Sequence, residues 1–210
     1  MKVLNYFDKA YYINLDSRTD RRESFETRIA KHNLEVERFS AIIPEPIKDH
    51  VDKNRHFKEG CIKSHIEIVR LAKEQGLDNV LIFEDDCLFA KDFTNKATQI
   101  ANKLYNEEWD LFYLGGEPNG DCPVKKEGVR FAPKGVYQTH AYAIHKRFFD
   151  SILAINPSNI PNIDIWYIHQ ANAVTLISET LLCIQENGYS DNYGANVKFT
   201  TKEIFDRYVK

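Results

Sequence analysis

The run Asn79–Phe83 constrains the fold more than any other segment of the chain. Its residues after Asn79 are apolar without alternation, which is typical of a parallel strand buried on both faces. Segments with helical spacing precede and follow it, so strands and helices alternate along the chain. We therefore predict an α/β fold with a mostly parallel central sheet flanked by helices.

The remaining elements are predicted from hydrophobic periodicity and turn residues. Strands are expected at residues 10–15, 36–41, 109–114, 137–144 and 181–184, and helices at 21–32, 59–75, 93–105, 146–153, 163–172 and 197–209. Residues 117–134 carry glycine, proline and charge, so we expect a loop or hairpin over an opening. Ligands of such a fold bind beyond the carboxyl ends of the strands, which here follow Leu15, Phe83 and Leu114.

Composition limits the classes of partner. A chain of 210 residues with a net charge of −3 suggests one domain, and its field favours neither nucleic acid nor an anionic membrane. No apolar run approaches the roughly 20 residues of a membrane span, and no signal peptide is recognisable. The four cysteines form no CxxC pair, which argues against a zinc site and fits a reducing compartment. We expect a cytoplasmic protein, or a catalytic domain of a longer one, and leave the oligomeric state open.

The acidic triplet Glu84, Asp85 and Asp86 follows the strongest strand. Alternation along an extended chain would put Glu84 and Asp86 on one side and Asp85 on the other. Two such carboxylates can hold a hard divalent cation, which would bridge the phosphates of a nucleoside diphosphate and offset its charge as it leaves. The alternative is an acidic, solvated turn, but the strand-end position favours a site.

The first loop contains a second candidate site. Asn14 and Leu15 end the first predicted strand, and Arg18 and Arg21 lie where the next helix begins. A helix N-terminus attracts anions, and guanidinium groups suit a phosphate or a base edge. The alternative is a capped helix start with surface arginines.

Further candidates lie on later elements. Ser64 and His65 are one turn into a helix and face either a ligand or the core. Gly115 and Gly116 permit a close backbone approach to a ligand, or form a simple turn.

Three more polar residues belong to this group. His140 and Tyr142 on a strand can hold a sugar ring or an acceptor, although a core position is equally compatible for the histidine. Gln185 follows the last predicted strand and is expected to close the site.

Asp164 is the preferred candidate for a general base. If a hydroxyl group attacks as the diphosphate leaves, a carboxylate is needed to remove the hydroxyl proton. The acidic triplet is already assigned to the metal. Asp164 therefore carries this role in our interpretation, with Asp85 as the other carboxylate considered for catalysis. The alternative for Asp164 is a helix cap.

Seven segments in order resemble glycosyltransferase family 25, which includes lipooligosaccharide β-galactosyltransferases and collagen hydroxylysine galactosyltransferases. They extend from Tyr11 to about Asp191 and read YYINLDSRTDRRESF, GCIKSHIEIVRLA, NVLIFEDDCLF, WDLFYLGG, THAYAIHKRFFD, IDIWYI and LLCIQENGYSDN.

The resemblance implies a GT-A type, Rossmann-like fold in a single domain, a UDP-sugar donor carrying galactose or glucose, and Mn²⁺ or Mg²⁺. We expect residues 1–115 to form the donor half and residues 116–210 the acceptor half. The acceptor would be a glycan, a lipooligosaccharide or hydroxylysine, the transfer inverting, and the source bacterial or viral. The resemblance gives Glu84 to Asp86 the metal-binding role, with the other implied site residues being Asn14, Leu15, Arg18, Asp20, Arg21, Ser64, His65, His140, Tyr142, Asp164 and Gln185.

Two other classes stay open at this point. One is a catalytically inactive module that binds a nucleotide-sugar. The other is a metal-dependent phosphohydrolase that uses the acidic triplet.

Overall fold

The computed structural model describes residues 2–46 and 51–209, which form helices around a central sheet. The α-helices are α1 (Thr19–Lys31), α2 (Arg55–Glu74), α3 (Phe93–Asn102), α4 (Phe149–Leu153), α5 (Ile163–Ile168) and α6 (Thr201–Tyr208). Short 3₁₀ turns occupy Lys103–Asn106, Lys146–Phe148 and Pro157–Asn159. The strands are β1 (Lys9–Asn14), β2 (Glu37–Ser40), β3 (Asn79–Glu84), β4 (Cys87–Phe89), β5 (Leu111–Tyr113), β6 (Glu117–Pro118), β7 (Val124–Lys126), β8 (Val129–Phe131), β9 (Val136–Tyr137), β10 (Ala141–His145), β11 (Thr175–Ser178), β12 (Cys183–Gln185), β13 (Gly188–Ser190) and β14 (Ala195–Val197).

The central sheet has eight strands in the order β2-β1-β3-β10-β5-β11-β8-β7. Strands β10 and β8 are antiparallel to the strands on both sides of them, and the other six run in one direction. The predicted α/β fold with a mostly parallel sheet is therefore confirmed. Three two-stranded ribbons, β4–β12, β6–β9 and β13–β14, complete the fold.

Strand β3 lies at the centre of the core, as its apolar run predicts. Leu81 and Phe83 belong to one buried cluster, and Val80 and Ile82 belong to another. Because successive side chains of a strand point to opposite faces, the two clusters cover the two sides of the sheet. The strand is buried up to Phe83, and its carboxyl end at Glu84 emerges from the core at one edge of the sheet.

Helix α2 packs closely against the segment after β2. A Cβ added at Gly60 would lie 2.2 Å from the Ile42 carbonyl oxygen, so a larger side chain has no room there. One turn later, Ser64 Oγ accepts a hydrogen bond of 2.9 Å from the Ile42 amide and donates to the Gly60 carbonyl at 2.7 Å. Gly60 and Ser64 thus fix α2 to the chain beside the first strands.

Several predicted elements differ from the structure. The strand expected at 137–144 is divided into β9 and β10, because Gln138 between them adopts a left-handed φ of 70°. The sequence analysis missed β11, a buried strand that lies between β5 and β8. The loop or hairpin expected at 117–134 does contain a hairpin, β7–β8, which extends the sheet edge. Helix α2 begins four residues before the predicted start.

The short strands β4, β13 and β14 were also not predicted, and β14 ends at the residue where the last helix was expected to begin. The other differences are shifts of element ends. In the described ranges, none of the helices combines the length and apolar character that crossing a bilayer requires.

Candidate active site

The acidic triplet lies at the end of β3 and faces a cleft. Strand β3 ends at Glu84, and Asp85 and Asp86 form a turn that leads into β4. The alternation expected for an extended chain therefore stops at Glu84, and all three carboxylates line one cavity. The expectation that Asp85 faces the opposite side is wrong for this reason.

The first cavity encloses about 640 Å³ of empty space, part of it open to solvent. Its walls come from the ends of β1 and β3, the first turns of α2, and residues 185–192. Eight residues singled out from the sequence line it, namely Asn14, Leu15, Arg21, His65, Glu84, Asp85, Asp86 and Gln185.

Asp85 is held by hydrogen bonds on both of its carboxylate oxygens. Asn14 Nδ2 donates to Oδ2 at 2.7 Å, and Arg21 donates to Oδ1 at 3.0 Å. Arg38 in turn donates to Asn14 Oδ1 at 3.1 Å, which orients the amide. Burial raises the pKa of Asp85, and the Asn14 and Arg21 contacts oppose that rise. Each oxygen of Asp85 therefore already has a donor from the protein.

Asp86 has an oxygen that remains available. Gln185 Nε2 donates to Oδ2 at 3.1 Å, and Arg21 lies 3.6 Å from the same oxygen. Among the described residues, the buried Oδ1 atom has no hydrogen-bond partner. Burial and the neighbouring charge of Glu84 raise the pKa of Asp86 to about 7. An unpartnered carboxylate oxygen in a cleft is suited to a cation.

Glu84 is positioned by groups from the other side of the cleft. Thr139 Oγ1 donates to Oε1 at 2.7 Å, and His65 Nε2 lies 3.6 Å from that oxygen. The His65 ring is oriented by Tyr142, whose hydroxyl lies 2.9 Å from Nδ1. Burial alone would raise the pKa of Glu84, but His65 and Thr139 outweigh burial and lower it. Glu84 is thus the more readily ionised neighbour of Asp86.

A second cavity adjoins the first and contains Asp164. It encloses about 560 Å³ of empty space, part of it open to solvent. Glu84, Cys61 and Gln185 line both cavities, so the two spaces meet at the carboxylates. Lys58 and Tyr193 border the second cavity only. A molecule in each cavity would therefore meet the other beside Glu84.

Asp164 is fixed by backbone amides. Its Oδ2 accepts from the Gln138 amide at 3.1 Å and its Oδ1 accepts from the Ile165 amide at 2.8 Å. Burial raises the pKa of Asp164, and these amide contacts oppose the rise. The left-handed backbone of Gln138 aims its N–H at the carboxylate, and such strain recurs at functional sites.

The chain after Gln185 closes the cleft, as the sequence predicts. Ser190 and Asn192 line both cavities, and Asp191 lines the first. Arg18 donates to Asp191 at 2.9 Å, and Arg21 donates to the Tyr189 carbonyl. The two arginines of the first loop thus connect α1 to the β13–β14 hairpin.

Three predicted site residues contact the protein itself. Ser64 lies outside both cavity linings and binds Ile42, as described above. A Cβ on Gly115 would lie 1.9 Å from the Cys183 carbonyl oxygen, and one on Gly116 would lie 2.5 Å from Val136. The close approach that these glycines permit is therefore an approach to neighbouring strands.

Two other predicted residues lie behind the cavity walls, and a third lines a neighbouring groove. Tyr142 is buried and connects His65 to Tyr167, whose hydroxyl lies 3.1 Å away. His140 is buried, and within residues 2–46 and 51–209 neither ring nitrogen has a hydrogen-bond partner. Arg18 lies beside the first cavity, in a groove that it shares with Arg28 and Asp86.

The sequence analysis missed several lining residues. Phe57 and Ile42 form an apolar end of the first cavity, and Gln138, Asn162 and Asn192 line the second. These residues lie on loops or on the first turn of a helix. Their only sequence signal is adjacency to a residue already singled out, such as Asn162 to Asp164.

The carboxylates fit a cation that a ligand would help to bind. In the part of the chain that is described, no group of three or more His, Cys, Asp or Glu side chains is arranged to hold a metal ion by itself. Arg21 supplies one positive charge against the three acids of the triplet. The unpartnered Oδ1 of Asp86 and the excess negative charge fit a divalent cation whose remaining ligands are phosphate or water.

The fold has a counterpart of known structure. A crystal structure of a glycosyltransferase involved in the glycosylation of the major capsid of PBCV-1 matches with a TM-score of 0.53 and 11% identity, covering 95% of this chain and 97% of that one. The likeness shows the fold, which is the GT-A type of such transferases.

Comparison of sequences assigns the chain to one family of glycosyltransferases. The model of glycosyltransferase family 25 (LPS biosynthesis protein) matches residues 7–166, and the chain belongs to this family. It is 26% identical over 179 residues to procollagen galactosyltransferase 1-A of Xenopus laevis, covering 72% of this chain and 29% of that protein. It is 33% identical over 105 residues to the inactive glycosyltransferase 25 family member 3 of Homo sapiens, covering 47% of this chain and 17% of that protein. The chain thus spans less than a third of the length of these relatives.

Proposed function

We propose that the chain is a metal-dependent hexosyltransferase that moves galactose or glucose from a UDP-sugar to a hydroxyl acceptor, with inversion. The observation that carries the proposal is the pair of cavities that share Glu84. One cavity has the polar groups that a nucleotide diphosphate requires, and the other has a buried carboxylate. Family membership supports the transfer of a sugar as the reaction.

The first cavity is assigned to the donor. Its apolar end at Ile42 and Phe57 suits a base, and Asn14 and Arg21 lie at the carboxyl end of β1 and the start of α1. Arg21 is a planar donor suited to phosphate oxygens, and it contacts Asp85 and Asp86. Binding of the diphosphate would draw Arg21 toward the phosphate oxygens.

Asp86 with Glu84 would hold Mn²⁺ or Mg²⁺. When bound, the cation would neutralise the charge that develops on the departing diphosphate. Gln185 orients Asp86 through a hydrogen bond of 3.1 Å, and Thr139 orients Glu84 through one of 2.7 Å. Asp85 is proposed to support this arrangement through Asn14 and Arg21, without reacting itself.

The second cavity is assigned to the acceptor, and Asp164 to the general base. Burial raises the pKa of Asp164, which improves its ability to take a proton near neutral pH. The Gln138 and Ile165 amides hold the carboxylate in one orientation. The acceptor is proposed to be a sugar or hydroxylysine hydroxyl, following the activity named for the Xenopus laevis relative.

The decisive experiment is a panel of UDP-sugars tested for UDP release with and without Mn²⁺. We expect release from UDP-galactose or UDP-glucose that depends on the metal. Asp86→Ala should lower it by about 100- to 1000-fold, as removal of one transition-state electrostatic contact does. Asp92→Ala changes an exposed aspartate six residues away and is the matched control. Wild-type rates in Asp86→Ala would overturn the assignment of the triplet.

A second candidate function is a module that binds a nucleotide-sugar without transferring it. Two observations favour it, namely that the human relative is named inactive and that Arg21 bridges Asp85 and Asp86. UDP binding measured by calorimetry, combined with no UDP release from any sugar in the panel, would select this candidate.

A further inference from the structure

The guanidinium of Arg55 gathers four backbone carbonyls of one loop. Its two terminal nitrogens lie within 3.2 Å of the carbonyl oxygens of Pro157, Ser158, Ile160 and Pro161. The shortest of these contacts is 2.9 Å, to Ile160. A planar group with five N–H donors is the side chain best suited to bind several fixed acceptors at once.

These contacts join the two walls of the second cavity. Arg55 is the first residue of α2, and Lys58 and Cys61, one to two turns further on, line the cavity from that side. The loop that it binds leads directly into α5, where Asn162 and Asp164 line the opposite side. The separation of the two walls therefore depends on Arg55.

The loop makes few hydrogen bonds within itself, although Ile160 packs against the core. It contains Pro157 and Pro161, which have no amide hydrogen to donate. Asn156 supports the first turn, since its side chain accepts from the Ser158 amide at 3.1 Å. The carbonyls that Arg55 binds belong to exposed or half-buried residues, and the four contacts tie this surface loop to the start of α2. The loop would shift if the guanidinium were removed, and α5 would move with it.

We propose that Arg55 is a positioning residue for Asp164, setting the distance between the general base and the hydroxyl that occupies the second cavity. This inference rests on the proposed function. A misplacement of about 1 Å at a reacting group can cost on the order of 100-fold in rate. Loss of Arg55 should therefore reduce turnover and leave the binding of UDP unchanged, because the loop that it binds leads into α5, and residues 162–164 at the start of α5 line the second cavity and not the first.

The test compares Arg55→Ala, Arg55→Lys and the control Arg70→Ala. Arg70 lies on the same helix and donates a hydrogen bond to Glu67 at the surface. The probe is Mn²⁺-dependent UDP release from UDP-galactose and UDP-glucose with water as the acceptor, and UDP affinity is measured separately. We expect Arg55→Ala to lower kcat by about 10- to 100-fold, with UDP affinity equal to that of Arg70→Ala. Millimolar guanidinium should restore part of the rate in Arg55→Ala alone.

Arg55→Lys keeps the charge but offers one ammonium to four carbonyls, so its rate should lie between those of wild type and Arg55→Ala. If Arg55→Ala does not fold, Arg55→Lys takes its place in the comparison. A wild-type rate of UDP release in Arg55→Lys would then overturn the inference.

Asp164→Asn separates this inference from the proposed function. If Asp164→Asn loses activity while Arg55→Ala matches Arg70→Ala, the positioning role is wrong and the transferase proposal stands. If the wild-type protein releases no UDP from any donor, both fail together.

Discussion

Asn14 on β1 donates a hydrogen bond of 2.7 Å to Asp85 on the turn after β3, and this contact joins the ends of two neighbouring parallel strands. The same amide accepts from Arg38 through its oxygen. Asn14 therefore connects a cation on β2 to an anion after β3, with both of its polar atoms used. An aspartate would fit this space but would reverse the polarity of one contact.

Asn14→Asp should lower the free energy of unfolding by about 1–3 kcal/mol at neutral pH, because a buried donor is lost and two carboxylates face each other. The pKa of the two neighbouring carboxyls would rise on folding. The loss of unfolding free energy should therefore grow as pH rises above the ordinary aspartate value of about 3.9, and it should nearly vanish below that pH. Urea unfolding at several pH values measures this. Asn119→Asp, at an exposed amide that donates to the Lys134 carbonyl, is the control. Equal losses in the two variants would contradict the prediction.

Asp164→Asn should reduce transfer by about 100- to 10,000-fold, the usual contribution of a general base, with UDP affinity unchanged. Burial raises the pKa of Asp164, so the acidic limb of the wild-type pH–rate profile should lie above about 3.9. Activity should rise with pH through this limb, since the base acts when deprotonated, and the limb should be absent from the variant. Asp150→Asn, on the exposed side of α4, should retain the wild-type profile. A variant that keeps the limb would show that another group is the base.

Asp86→Asn should stabilise the metal-free protein at pH 8 and have a smaller effect at pH 4. Burial raises the pKa of Asp86 to about 7. A carboxyl whose pKa rises on folding favours the folded state at low pH, and its contribution is lost as pH rises from about 3.9 to about 7. The asparagine of the variant is uncharged, so this pH-dependent loss of stability does not occur in it. Thermal melts in the presence of a chelator measure the difference, and a melting temperature that falls at pH 8 would refute it.

Gly60→Ala should destabilise the protein by about 1–3 kcal/mol, because its Cβ would meet the Ile42 carbonyl oxygen at 2.2 Å and backbone must move. Gly188→Ala is the matched control, since no atom lies within 4 Å of the added Cβ. Denaturant midpoints of the two variants provide the comparison. A Gly60→Ala protein as stable as Gly188→Ala would mean that α2 can move away from Ile42 freely.

The central part of the fold was predictable because its signals are local. The apolar run of β3 and the acids that follow it lie within eight residues, and the strand-end rule places them at the cleft without knowledge of any partner. The same reasoning places Asn14 and Arg21 there. The position of each of these residues follows from the direction of the strand that it ends or, for Arg21, of the strand that precedes its helix.

The parts that were missed depend on contacts between distant segments. Strand β11 is specified by its neighbours β5 and β8, and Gln138 adopts a left-handed backbone that an isolated glutamine would avoid. Ser64, Gly115 and Gly116 resemble ligand-binding residues in sequence, but the groups that they approach are Ile42, Cys183 and Val136. Composition does not distinguish a close approach to a ligand from one to another strand.

The reversed direction of β10 has a consequence for how the cleft can change. Because β10 runs opposite to β3, the chain enters the sheet at the edge where β3 leaves it, and the Glu84 amide donates to the His140 carbonyl at 3.0 Å. The residues just before β10 therefore supply Gln138 and Thr139 to the second cavity. Neither residue lines the first cavity. Substitutions at Gln138 would therefore alter the second cavity beside Asp164, whereas substitutions at Thr139 would reach both cavities through Glu84.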